Sequence, residues 1–106
     1  MPRTWSNSAE LWFETEGEGE HVLLIGDLTA DGETWHGQVD TLRGSYRVTR
    51  YDARSSGRSP VVRGSTSIEQ LARDALAVLD AAGGTTAHLV GTGLGGVIAR
   101  RLRRAA

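Results

Sequence analysis

Thr86-Ala-His-Leu-Val90, followed by Gly91-Thr-Gly-Leu-Gly-Gly96, is the stretch that decides the architecture. A short apolar run reads as a strand, the glycines turn the chain, and Val97 to about Arg104 has the composition of a helix. Upstream, Ile68, Leu71, Ala72, Ala75, Leu79 and Ala82 make an apolar stripe at helical spacing. Thr66-x-x-Glu69 or Ser67-x-x-Gln70 supplies a capping box, and Gly83-Gly84 supplies the stop. A strand-turn-helix preceded by a well-capped helix is half of an alternating α/β pattern.

The other half lies further upstream. Tyr46 to Ala53 is rich in Val, Thr and Tyr and runs into the polar loop Arg54-Ser-Ser-Gly-Arg-Ser-Pro60, so it reads as a strand and a loop. Trp35, Val39 and Leu42 share one helical face, with Gly44 at the C-cap position. His21-Val-Leu-Leu-Ile25, closed by Gly26, is a continuous apolar run, the pattern of a strand buried on both faces. Leu11 to Thr15 is a short β-prone run, ended by the solvated acidic turn Glu16-Gly-Glu-Gly-Glu20. From His21 onward the order is β-α-β-α-β-α. That alternation predicts a parallel sheet with right-handed crossovers and helices on its faces, a three-layer α/β sandwich.

Composition narrows the classes. The chain has 106 residues, suited to one domain spanning 1–106, and a formal charge of −1, which gives no global pull toward nucleic acid or anionic membranes. It contains no cysteine, which excludes thiol catalysis and thiolate metal sites. Met1-Pro-Arg-Thr-Trp-Ser-Asn-Ser has no apolar run of signal-peptide length, and no segment approaches the roughly 20 apolar residues that span a bilayer. A cytoplasmic location is the expectation.

The ordered motifs resemble the α/β-hydrolase family. Leu24-Ile25-Gly26-Asp27, followed by Thr34-Trp35, Gln38 and Leu42, is similar to that family's buried strand, His-Gly turn and first helix. Tyr51-Asp52-Ala53-Arg54-Ser55-Ser56-Gly57-Arg58-Ser59 resembles its Asp-x-Arg-Gly-x-Gly-x-Ser segment, and His88 to Gly96 its strand and Gly-x-Ser-x-Gly elbow. The resemblance implies a truncated hydrolase-like core that matches the N-terminal part of the family fold, through the nucleophile elbow.

The departures bear on activity. The position matching the nucleophile is Gly93, which carries no hydroxyl. The oxyanion-hole positions implied by the resemblance are Asp27 and Leu94. Asp27 keeps its backbone donor, but an ionised carboxylate turned inward would oppose the charge such a hole stabilises. The family's acid and general-base histidine come from loops after later strands, so on this reading the triad is absent and the chain is a degenerate, inactive hydrolase-like protein. The alternative is a small-molecule ester or amide hydrolase completed by a partner.

A different class competes at the same turn. Gly91-x-Gly93-x-x-Gly96 fits a dinucleotide-binding fingerprint placed between a strand and a helix, but the acidic residue expected roughly 20 positions later is missing. Thr92 adjoins the elbow centre with its side chain expected to point away. His21, His36 and His88 lack the spacing of a helical metal pair, and Asp27 with Asp31-Gly32-Glu33 matches no complete calcium loop. No cofactor or metal is expected. Arg100, Arg101, Arg103 and Arg104 complement the last helix dipole, and no nucleic-acid or membrane partner is expected from that cluster alone. An unpaired sheet edge beside the elbow strand predicts self-association, or docking with a separately encoded C-terminal half.

Overall fold

In the computed structural model, residues 3–6, 9–26, 35–55, 58–59, 66–84, 86–91 and 94–105 are described, the side chains of His36, Leu94 and 102–105 excepted. The elements are β1 (Arg3–Ser6), β2 (Ala9–Glu16), β3 (Glu20–Ile25), α1 (His36–Leu42), β4 (Tyr46–Tyr51), α2 (Ile68–Ala81), β5 (His88–Gly91) and α3 (Leu94–Ala105). The described strands form one sheet in the order β1-β2-β4-β3-β5.

The sheet corrects one expectation. β4, β3 and β5 run parallel, as the alternation predicts, but β1 pairs with β2 and β2 with β4 in antiparallel register. The sheet is therefore mixed. Arg3-Thr-Trp-Ser is too short and polar to signal a strand by periodicity, and the turn at Glu16–Glu20 leads into β3 while β4 inserts between β2 and β3, a pairing that periodicity does not encode.

The three layers follow from alternation along β3. Leu23 and Ile25 join Leu11, Phe13 and Tyr51 under α2 and α3, where Leu71, Ala75, Val78, Leu79 and Ile98 complete the core. Val22 and Leu24 point the other way, against Trp35 and Val39 at α1, with Val48 beside them. Each strand residue alternates faces, so a strand buried on both must be apolar throughout. That is why Val22–Ile25 carries no polar interruption.

α2 begins as the capping box dictates: Ser67 Oγ accepts from Gln70 N–H at 3.1 Å. It stops at Gly83, whose φ of +82° lies in the left-handed region that a side chain disfavours. Its inner face also carries a charge. Asp74 is buried and takes a two-pronged contact from Arg54, 2.6 Å to Nε and 2.8 Å to Nη2, plus 2.9 Å from Gln70 Nε2. Arg54 Nη2 continues to the Ser6 carbonyl at 3.2 Å, so this pair ties β1, the β4 loop and α2 together. Burial, assisted by Asp74, pushes the Tyr51 phenol well above its ordinary range and keeps it neutral.

Removing one partner leaves the other charge buried. Asp74→Ala is expected to destabilise the protein by roughly 3–5 kcal/mol in denaturant titration, more than the exposed pair Arg43–Asp40 could contribute.

Candidate functional site

The site begins where three backbone segments converge. Ile25 at the end of β3 pairs with Gly91 at the end of β5, and α3 starts at Leu94. A side chain at Gly95 would strike the Ile25 carbonyl oxygen and stand 2.8 Å from the Gly26 oxygen. One at Gly91 would stand 2.5 Å from the Gly95 carbonyl carbon and 2.7 Å from Gly96 N. Glycine at both positions lets helix and strands touch. Gly96 is different: its nearest neighbour, the Gly91 oxygen, would lie at 3.8 Å, an ordinary contact.

This separates the two readings of the glycine turn. A dinucleotide fingerprint needs its third glycine for close helix–strand packing, which here would fall on Gly96. The contact instead demands Gly91 and Gly95, the two glycines flanking the centre of a Gly-x-x-x-Gly elbow. The centre itself, Gly93, lies with Thr92 outside the described residues, as do Asp27 and Asp31-Gly32-Glu33. Leu94 is placed as the first residue of α3, in the turn whose N–H groups have no intrahelical acceptor.

The histidines sit at the wrong end. His21 and His88 lie at the beginnings of β3 and β5, whereas the elbow follows the strand ends. His21 is buried, with Nε2 2.5 Å from Thr49 Oγ1, and burial followed by the nearby Arg47 charge lowers its pKa. His88 is exposed, with Nε2 2.6 Å from Glu20 Oε2, and lies edge-on to Tyr46. His36 opens α1, its side chain not described. Among the described residues, no three His, Asp or Glu side chains form a group able to hold a metal ion.

The acid of the second motif is structural. Asp52 is fully buried, and its Oδ2 accepts from Arg58 N–H at 2.7 Å and from Arg58 Nε at 2.9 Å. Ser59 Oγ donates to the Asp52 carbonyl at 2.6 Å and accepts from Trp12 N–H at 3.0 Å. The Arg58 guanidinium lies 3.2 Å from the Trp12 ring centroid, a cation–π stack on a buried indole. Sequence reading assigned these residues no role. Their signal was an acid at the end of β4 with Arg58-Ser59 six and seven positions on, a spacing that lets the loop fold back on its own strand.

No protein-family model matches the chain. It is 37% identical over 106 residues to a protein from Azorhizobium caulinodans named carbamate hydrolase RutD, covering 100% of this chain and 40% of that one. It is 36% identical over 78 residues to 3-oxoadipate enol-lactonase 1 of Acinetobacter baylyi, covering 74% and 29% respectively. Among solved structures, the enol-lactonase from Burkholderia xenovorans superposes with a TM-score of 0.86 at 33% identity, over 92% of this chain and 39% of that chain. The chain thus spans about 40% or less of the length of these relatives.

The steric distinction at the elbow is directly testable. Gly95→Ala should cost about 3 kcal/mol by overpacking backbone against backbone, while Gly96→Ala should be neutral or stabilise by up to about 1 kcal/mol as a helical glycine replaced. Paired thermal melts of the two variants check it.

Proposed function

This chain belongs to the α/β-hydrolase fold family, matching its N-terminal part, and on that premise we propose that it is a hydrolase-like scaffold whose elbow carries no nucleophile. The observation that carries the proposal is Gly93, the residue midway between the two sterically required glycines, 91 and 95. Without a hydroxyl there is no acyl-enzyme and no covalent route. Glycine in a position that enzymes hold strained also relieves roughly 1–3 kcal/mol of backbone energy. An Asp27 carboxylate next to the expected oxyanion position would add a second obstacle.

A second reading rests on the relatives' names, which describe hydrolysis of carbamate and enol-lactone groups. If the protein turns over an ester or amide in concert with a partner, water must attack directly, because Gly93 offers no nucleophile. The partner in either reading would cover the β5 edge, where Val90 is 40% exposed at the end of the strand order. We propose self-association, or a separately encoded C-terminal half, as that cover. Among the described residues no helix is long and apolar enough to cross a membrane, and we place the protein in the cytoplasm by inference.

Gly93→Ser is expected to lower stability and to release no p-nitrophenol above background from p-nitrophenyl esters, since His21 and His88 stand at the far end of the sheet. Turnover by the variant would sink the proposal. Light scattering at micromolar concentration should show an associated species, and a monodisperse monomer would argue against the edge being covered by a second copy.

A further inference from the structure

His21 stands out among the buried polar groups outside the elbow. It is 7% exposed, and while its Nε2 meets Thr49 Oγ1, its Nδ1 is buried with no hydrogen-bond partner. The Thr49 hydroxyl continues to Thr15 Oγ1 at 2.8 Å, so the ring ends a short hydroxyl chain across β3, β4 and β2. The Nδ1 edge faces the C-terminal cap of α2. A Cβ on Gly84 would collide with Nδ1 and with Leu79 Cδ1, so Gly84 is packed directly on the imidazole.

The same cap is held by a second basic group. Arg47 of β4 donates from Nη2 to the Ala82 carbonyl, and its guanidinium packs 3.3 Å from where a Gly83 Cβ would stand. The cap amides are satisfied internally: Ala82 N–H to Val78 O at 2.9 Å, Gly83 N–H to Asp80 O at 3.0 Å and Gly84 N–H to Leu79 O at 3.0 Å. His21 Nδ1 makes no hydrogen bond to any of those carbonyls, and the Ala82 carbonyl accepts from Arg47. The charged groups around the ring are Arg47 from β4, the neighbouring Glu20 of β3, which is engaged with exposed His88 of β5, and Asp80, which is exposed on α2. No described carboxylate contacts the ring to compensate a positive charge.

We propose that His21 is an acid-sensitive latch: neutral and enclosed, it seats the Ala82–Gly84 cap of α2 on the sheet, and its protonation unseats that cap. A protonated ring would bury a second N–H donor without an acceptor beside the Arg47 cation, so the charged ring is accommodated only when Gly84 withdraws and water reaches Nδ1. Water stands close by, because an open cleft of about 390 Å³ is lined by Glu20, His21, Thr86, Ala87 and His88. Since α2 leads into β5, unseating its cap loosens the approach to the strand that carries the elbow.

The sign of the effect follows from proton uptake. Burial and the Arg47 charge lower the affinity of the seated ring for a proton below the ordinary imidazole value of 6.5, whereas the unseated ring takes one at that value. Cap opening therefore grows as pH falls below 6.5, at a slope of at most about ten-fold per pH unit and only until the seated ring itself protonates, and is constant above it.

Amide hydrogen exchange followed by NMR on the whole protein tests the latch. Between about pH 7.5 and about pH 5.5, with rates normalised for intrinsic exchange, protection at Ala82, Gly83 and Gly84 should fall as pH drops below 6.5, by no more than about ten-fold per unit. The β2–β4 ladder amides should keep theirs. His21→Gln should flatten the response, and His88→Gln should leave it intact. The same titration reads the His21 ring directly, and its shift should track the loss of cap protection. The proposal is overturned if cap protection is independent of pH, if it falls equally in His21→Gln, if the ladder falls in step with it, or if the ring titrates at 6.5 with the cap still protected.

Discussion

The structure depends on a contact between backbones. α3 can start against the ends of β3 and β5 only because positions 91 and 95 have no side chains. The Ile25 carbonyl and the first turn of α3 occupy space that any Cβ would claim. Close approach of this kind fixes the helix relative to two parallel strands with no torsional slack, since interiors at this packing density yield little. The start of α3 after β5 is aimed by it.

Two buried ion pairs hold the surrounding loops in place. Arg54–Asp74 joins the β4 loop to α2, and Arg58–Asp52 folds the same loop back onto Trp12 of β2. Both carboxylates are almost or wholly enclosed, and several donors meet each of them. Charges so deeply buried contribute little net stability when paired and cost heavily when one partner is lost, so their effect here is to enforce one loop geometry. In consequence Asp52 and Asp74 are committed to architecture.

Much of the fold was legible in the sequence because it rests on local signals. The α2 stripe, its Ser67 cap and its Gly83 stop lie within one or two residues of where the pattern placed them. The apolar run at β3 predicted burial on both faces, and the two core clusters on opposite sides of it match. The antiparallel strands were illegible since β1 is polar and four residues long, and since sheet order is set by tertiary pairing. α3 starts at Leu94, ahead of the Val97 expected from composition, because Gly95, which depresses helix propensity, is also the residue its docking requires. At the site, the elbow spacing could be read directly, but which glycines it needs could not: only the backbone contacts distinguish Gly95 from Gly96. The partnering of Asp52 with Arg58, and of His21 with Thr49, likewise depends on distances that no spacing rule supplies.

The central claim is that the elbow presents no nucleophile. Intact-mass spectrometry after incubation with a fluorophosphonate, which phosphonylates activated serine and threonine hydroxyls, tests it without reference to any substrate. The account predicts an unchanged mass, with residue 93 incapable of forming the adduct. A stoichiometric adduct mapped to the peptide holding residues 91–95 would contradict it, because it would place an activated hydroxyl, Thr92, where a nucleophile acts.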